Sequence, residues 1–423
     1  MFIVKTTYFE NNVIPIKECI SNQKNLHISP QKIEILGQGT LSGIMNTDKE
    51  FDILFLSEPD LEANYQFRLT IGVQKTGFYK YENGTNSLLK ALDKSQTSNI
   101  DAFIDKNRDQ TYWFSIDREN QRLRFGKGYM LKKLVVFEYE FTEKTDIFNH
   151  IKYMGFNKID KKPDSFVYWR YAVVQDIAPI IISRQQITLD TLDKNDATIV
   201  DDLSNECRYL YSNIVGPNVR LNTDDFPDFA SAINYSIVTP GKLCFKKLQE
   251  KVGEFGPPAK PLETYLRVTV GVNRVNSPGI PFVLEIWPGG HYSPIHNHSN
   301  ANAIIKVLHG SLTCQWFRSL SQFENKPYDT LVLGAGQVTW LNDRQFQTHR
   351  LYNHNISGNM CATIQCYMYN STDNLHYEYF DYLSHNGQKN QYTPQSDWDY
   401  LSFKQLIREE WESYKQNLPS IDI

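Results

Sequence analysis

The sequence predicts a mainly β protein: an antiparallel β-sandwich over residues 1–182, a connector over 183–222, and a β-barrel with flanking helices over 223–423. Three observations predict it. A chain of 423 residues exceeds the size at which one hydrophobic core usually keeps growing, so two domains are expected. Short runs of alternating apolar and polar residues, rich in aromatics, fill the chain before Ser183 and return after Pro257-Pro258. The segments around that second block carry a helical period instead.

In the first block, residues 51–56, 65–71, 112–116, 122–125 and 134–141 each alternate with period two. That pattern is a strand with one face in a core. Asn83-Gly84 and Gly126-Lys127-Gly128 supply turn residues between the runs. No helical period of useful length occurs there. Tyr112-Trp113-Phe114 could offer a platform to a sugar or lipid, but alternate members of a sandwich strand enter its core by default, and the core is the expectation.

From about Arg184 to Thr223 the composition turns to Asp, Asn, Thr and Leu with little periodicity, which reads as a connector with a short helix around 201–211. Helices are expected at 225–237 and 241–255, separated by Thr239-Pro240-Gly241, where proline ends a continuous helix. The strand pattern then lasts to about Tyr382. A last helix is expected at 397–416, with Leu401, Phe403, Leu406, Ile407 and Trp411 in roughly helical spacing.

Composition excludes several classes. A formal net charge of -4 and a pI near 6.2 give no broad positive field, so no nucleic-acid partner is expected. No stretch is apolar for long enough to span a membrane and no secretory signal opens the chain, so a cytoplasmic protein is expected. Its six cysteines form no C-x-x-C pair, and buried free thiols are expected rather than a zinc ribbon or a disulfide framework.

Chemistry concentrates in Gly290-His291-Tyr292-Ser293-Pro294-Ile295-His296-Asn297-His298 and in His349-Arg350-Leu351-Tyr352-Asn353. Residues i and i+2 of a strand face the same way, so His296 and His298 can aim at one metal. A third ligand, His349, is expected from a later strand across the barrel. His291, His309, His354, His376 and His385 have no comparable support. The first segment, followed by Ala303 and Gly310, resembles the first motif of the cupin barrels, a jelly-roll fold, except that Ala303 stands where glutamate is usual. The second resembles the H-x3-N of their second motif, approached through Gly336 and Asn342-Asp343. Three neutral imidazoles without a carboxylate leave three octahedral positions open, unlike the two-histidine, one-carboxylate iron sites.

Residues from about 223 onward also resemble the cysteine dioxygenase family, through Trp287-Pro288-Gly289-Gly290 leading to the histidine pair, Ile305-Lys306-Val307-Leu308-His309-Gly310-Ser311-Leu312 behind it, and Leu341-Asn342-Asp343 before His349. The resemblance implies Fe(II) on His296, His298 and His349, with a small thiol and O2 as substrates and cysteine sulfinate as product. It implies substrate contacts from Tyr265 and Arg267, with Arg267 on the substrate carboxylate, and a catalytic phenol at Tyr369. Three departures stand out. Ala303 replaces the cysteine that cross-links to the tyrosine in animal members. Tyr367 and Gln365 replace the histidine and serine that orient it. An insertion at 275–279 follows Arg267 and leaves Arg274 as an alternative carboxylate partner. Mercaptopropionate, cysteamine or an N-terminal cysteine remain alternative thiols, and a non-catalytic metal-binding cupin or sensor is the alternative class.

The first block is similar to the farnesoic acid O-methyltransferase-like β-sandwich domain, through Tyr112-Trp113-Phe114-Ser115-Ile116, Arg122-Leu123-Arg124-Phe125-Gly126-Lys127-Gly128, Tyr153-Met154-Gly155-Phe156 and Val167-Tyr168-Trp169-Arg170-Tyr171. No glycine-rich loop for a methyl donor is present. The resemblance implies binding or scaffolding, with a carbohydrate or protein ligand.

Overall fold

Alternation of apolar residues decides which face of each strand is buried, and it does so throughout the first part of the chain. The computed structural model describes residues 12–15, 19, 25–159, 165–169, 174, 177–271, 282–299, 301–324, 326–342, 344–355, 358–369 and 380–417. It divides into two compact units, Met1–Asp176 and Ile177–Ile423. Arg170, Tyr171, Arg274, the 275–279 insertion, Asp343 and His376 lie outside the described residues.

The first unit holds two six-stranded sheets. One orders Asn12–Pro15, Ser165–Trp169, Gln38–Met45, Gln110–Asp117, Arg122–Lys127 and Val135–Glu140; the other orders His27–Ile28, Tyr153–Asn157, Phe51–Leu56, Tyr65–Ile71, Lys75–Glu82 and Thr85–Asp93. Their common core takes alternate residues of each run: Phe51, Ile53 and Phe55; Phe67, Leu69 and Ile71; Tyr112, Phe114 and Ile116; Leu123 and Phe125. Leu54 and Leu56 join a smaller cluster with Leu26, Ile28 and Ala63. Tyr112, Trp113 and Phe114 are all fully buried, so they form core and no surface platform. Trp113 fits because position 126 is glycine: a Cβ there would meet the indole at 2.0 Å. Gly126 and Lys127 therefore lie inside a strand and not in the expected turn. Asn83-Gly84, both at positive φ, does close a hairpin, in which Glu82 pairs with Thr85.

The second unit is a jelly-roll barrel. One sheet orders Thr198–Ile199, Ile180–Ile182, Val338–Leu341, Asn302–His309, Cys361–Met368, Phe282–Trp287, Leu266–Val270 and Trp398–Asp399. The other contains Asp329–Gly334, Ser311–Trp316 and His349–Tyr352, and bridges through Tyr292 and His296 continue it to the Phe380–Leu383 and Lys389–Tyr392 hairpin. Gly310, at φ +71°, makes the turn from Asn302–His309 into Ser311–Trp316, where a Cβ would lie 2.8 Å from Met360 O.

Helices Phe229–Val238, Leu243–Glu250 and Tyr400–Gln416 cover one face of the large sheet, burying Leu266, Val268, Leu284, Ile286 and Ala362. In the last helix Phe403 and Ile407 are fully buried with Trp411 packed beside them, a stripe of spacing four, whereas Leu401 and Leu406 face solvent. Burying Phe403 and Ile407 contributes roughly 1.5–3 kcal/mol each. The odd-numbered neighbours Tyr265, Arg267, Glu285, Thr363, Gln365 and Tyr367 take the opposite face and are also buried. The barrel interior is therefore polar where its outside is apolar.

The unit boundary falls six residues before the one expected, and residues 177–214 pack on the barrel, with Thr198–Ile199 pairing with Ile180–Ile182. Ile180–Ile182 pairs with Val338–Leu341. Ala178 O accepts from Trp340 Nε1 at 3.1 Å, and Pro179 O accepts from Thr339 Oγ1 at 2.5 Å. The Asn205–Ile214 helix buries Cys207, Leu210 and Ile214. Its polar composition marks the exposed side of elements whose few apolar residues are spent on the barrel. All six cysteines are free, and all but the half-buried Cys19 are buried.

A chain beginning at Ile177 is expected to melt where the second unit of the full chain melts. One beginning at Ser204 loses the Ile180–Ile182 strand and strands two buried donors at a cost of about 1–3 kcal/mol each, so its midpoint should fall by about 5 °C or more. Equal midpoints in circular dichroism melts of the two truncations would show that the segment is only a connector.

Candidate metal centre

Backbone pairing brings the three histidines together. His296 N donates to His349 O at 3.0 Å and His349 N donates to His296 O at 2.9 Å, so the two residues stand directly opposite in an antiparallel pair. Side chains of such a pair leave the same face of the sheet, and His298 follows two residues on. His349 thus comes from the neighbouring strand, not from across the barrel as expected, because the His296 segment lies between His349–Tyr352 and Phe380–Leu383. One ligand atom from each of the three histidines lies within 4.8 Å of the others, with no carboxylate or thiol in the group among the described residues. His298 and His349 are buried and His296 is half-buried, leaving the open side of the site at His296.

Hydrogen bonds set the tautomers. His296 Nδ1 lies 3.0 Å from Pro294 O and His349 Nδ1 lies 3.2 Å from Phe346 O. A carbonyl only accepts, so both Nδ1 atoms carry the proton and both Nε2 atoms present lone pairs. Phe346 offers its carbonyl from a left-handed backbone at φ +61°, held there by packing against Trp316 and Trp340. A non-glycine residue in that conformation next to a functional histidine is strain retained by its surroundings. Gln347 fixes the third member: its Oε1 accepts from His298 N at 3.2 Å while its Nε2 donates to Ala301 O and Asn342 O. Asn353, the last residue of the H-x3-N motif, ties the strands from below, donating to Trp287 O at 2.9 Å and Asn359 O at 3.2 Å.

The donor set fits a cation. His298 Nε2 lies 3.2 Å from the lone pair on His349 Nε2, and His298 Nδ1 is buried with no hydrogen-bond partner. Burial pushes all three imidazoles toward the neutral form, His296 down to about 4 and His349 to about 3, and His298 is lowered further by its two neighbours and Arg267. Neutral imidazoles with converging lone pairs are what a divalent transition metal requires.

Around the triad lies a chain of buried polar groups. Arg267 Nη1 donates to Glu285 Oε1 at 3.5 Å, Gln365 Nε2 donates to Glu285 Oε2, and Tyr367 donates its hydroxyl to Gln365 Oε1. The Tyr367 ring stacks on His298 at 5.5 Å between centroids, and Phe380 meets His298 edge-on at 4.6 Å. Tyr367 also stands opposite Ala303 in the strand register. Burial holds its hydroxyl well above the usual phenol range. Tyr369 is half-buried just beyond the Cys361–Met368 strand. Tyr265 is buried and stacks on Trp287 at 4.3 Å. Of the other histidines named from the sequence, His291 Nδ1 contacts Thr264 O, His354 contacts Thr313, His385 pairs with Glu263, and His309 ends the Asn302–His309 strand. Sequence reasoning missed Glu285, Gln347 and Phe346. A polar residue at alternate positions of Leu284-Glu285-Ile286 was the available signal for the first, and nothing local marks the other two.

No family model matches the chain, and no curated protein matches it. Among solved structures, an oxalate oxidase in complex with the substrate analogue glycolate is 20% identical over 28% of this chain and 56% of its own, with a TM-score of 0.22. A cupin superfamily protein from Desulfitobacterium hafniense is 9% identical over 25% of this chain and 79% of its own, at 0.19. Sheep galectin-11 in complex with glycerol is 10% identical over 35% of this chain and 99% of its own, at 0.27. The chain thus spans little more than half of the oxalate oxidase, and scores this low bear neither on substrate nor on mechanism. No helix among the described residues is long and apolar enough to cross a membrane.

The depressed histidines make metal-free stability depend on pH. An unfolded chain protonates them near the ordinary 6.5, whereas the folded chain resists down to about 4 for His296 and about 3 for His349. Stability is therefore full above pH 6.5 and is lost as pH falls below it. Glu285, raised by burial to about 7, works in the opposite sense but is one group against three. Urea midpoints of chelator-treated protein should fall from about pH 7.5 to about pH 5, roughly one unit above and one and a half units below the ordinary histidine value, and a His298→Leu/His349→Leu variant should lose most of that fall. An unchanged slope in the variant would place the titration elsewhere.

Proposed function

We propose that this chain is an iron(II)-dependent thiol dioxygenase that converts R–SH and O2 into the sulfinic acid R–SO2H, with His296, His298 and His349 holding the metal. The observation that carries the reading is a set of three neutral histidines with no carboxylate among the described residues of the group; iron(II) held there would keep positions open for thiolate, a second substrate donor and dioxygen. Iron(II) in that site would favour the thiolate over the thiol and hold both reactants side by side.

The residues of the chain supply position and protons. Pro294 O and Phe346 O keep two imidazoles turned with Nε2 toward the site. Tyr367 remains a protonated phenol because its environment opposes ionisation, so it serves as a hydrogen-bond donor and not as a base. The resemblance to cysteine dioxygenases gives that role to Tyr369. We assign it to Tyr367, whose ring lies against His298. Phe380 and Tyr367 together cover His298 and keep water from that side. Tyr265 and Arg267 line the same interior face, and Tyr265 is proposed to bound the substrate pocket. Cysteine is the substrate the family resemblance implies. The anchor the resemblance implies for its carboxylate is Arg267, and that guanidinium already faces an internal carboxylate.

The reading is tested by iron content and oxygen uptake with a panel of cysteine, cysteamine and 3-mercaptopropionate. Thiol-dependent uptake with sulfinate formed one-for-one with O2 is expected. His296→Ala, His298→Ala or His349→Ala should each lower bound iron at least about tenfold. Tyr367→Phe should retain iron and lose roughly tenfold or more in turnover. Iron bound in full with no uptake on any thiol would replace the enzyme by a metal-binding cupin without turnover.

A further inference from the structure

The interior face of the barrel carries a charge pair that bears on which thiol can enter. Arg267 and Glu285 are register partners on adjacent strands, and they are only 7% and 4% exposed. Glu285 is engaged at both oxygens, Oε1 by Arg267 and Oε2 by Gln365. A carboxylate held at both ends cannot swing away to release its partner. Gln365 is itself fixed, through its other amide atom, by the Tyr367 hydroxyl, so the pair is tied to the ring that packs on His298. Among the described residues, Lys251 near this face is already shared by Asp397 and Glu254.

We propose that Glu285 is the specificity determinant of the site: it supplies from the chain the carboxylate that Arg267 would otherwise take from a substrate, so the site selects small aminothiols that lack a carboxylate. The choice of thiols rests on the dioxygenase reading; the exclusion of carboxylates does not. A planar guanidinium that faces water or an empty pocket attracts a carboxylate through parallel charge-assisted hydrogen bonds. Above the raised value of about 7 at which buried Glu285 gives up its proton, the same guanidinium belongs to a neutral pair, and an incoming carboxylate meets a like charge in a setting that screens it poorly. An ammonium group meets the reverse. Discrimination thus comes from repulsion of the wrong ligand as much as from attraction of the right one.

Two measurements test this, one of which needs no metal. Metal-free wild type, Glu285→Gln and the Arg267→Met/Glu285→Gln double variant are titrated with propionate by calorimetry. Glu285→Gln keeps the size and an acceptor for Gln365 but removes the charge, so it should bind propionate at least about tenfold more tightly than wild type. The double variant should lose that gain. Iron-loaded protein is then assayed for oxygen uptake with cysteamine and 3-mercaptopropionate. Wild type should favour cysteamine by about tenfold or more in kcat/KM, and Glu285→Gln should collapse or invert the ratio. A wild type that prefers 3-mercaptopropionate overturns the proposal without any variant, even if Glu285→Gln fails to fold. So does a ratio and a propionate affinity that Glu285→Gln leaves within twofold, on the order of 0.4 kcal/mol. Uptake with no thiol at all, alongside the gain in propionate binding, would sink the dioxygenase reading and leave the charge selection standing.

Discussion

Two reciprocal hydrogen bonds between His296 and His349 are the constraint on which the rest of the site depends. They fix a register, and register in a sheet fixes the face from which every side chain emerges. Slipping that pair by one residue would turn Asn297 and Arg350 inward and send the imidazoles out. The supporting contacts all serve this register: Ser293 exchanges hydrogen bonds with Leu351 two residues away, Leu383 N donates to Ile295 O, and Asn353 ties the far end to Trp287. Gln347 then holds the backbone of His298, and Phe346 O sets the rotation of the His349 ring, within the face that the register has chosen.

The same alternation explains how one sheet can be an apolar floor for helices and a polar wall for a site. Leu266, Val268, Leu284, Ile286 and Ala362 meet the helices, while Arg267, Glu285, Thr363, Gln365 and Tyr367 meet the interior. Such a wall is costly unless every group on it finds a partner. Here the charges pair with each other and the amide of Gln365 bridges them to a phenol. A fully partnered wall is stiff, and stiffness is what gives it a fixed pattern of charge to show to a ligand.

Much of this was legible in the sequence and some was not, for identifiable reasons. Period-two runs placed five of the twelve strands of the first unit, because alternation is a local property, and left Gln38–Met45, Lys75–Glu82 and Thr85–Asp93 unmarked. The H-x-H spacing found two ligands, and H-x3-N found the third. The neighbour relation between the strands of His296 and His349 was not legible, since pairing is set by the barrel's closure. The short helix expected around 201–211 stands at Asn205–Ile214, with Cys207, Leu210 and Ile214 buried, whereas the pairing of Ile180–Ile182 with Val338–Leu341 was not legible because it joins distant parts of the chain. Arg267 was found, but its partner was not, since Arg267–Glu285 is a contact across strands. Tyr367 was read as a gap in a relay centred on Tyr369, and the ring that lies on His298 is Tyr367 itself.

The most direct test of a three-histidine metal centre is iron K-edge X-ray absorption on the protein reconstituted with one equivalent of Fe(II). The backbone register and the neutral imidazoles predict a shell of nitrogen and oxygen donors near 2.1 Å, on the order expected for imidazole and water on a divalent metal, with outer-shell scattering from about three imidazole rings. Such scattering should disappear in part in each single histidine variant. A first shell containing sulfur from the chain, or one with no imidazole scattering, would contradict the assignment of His296, His298 and His349 as the ligands.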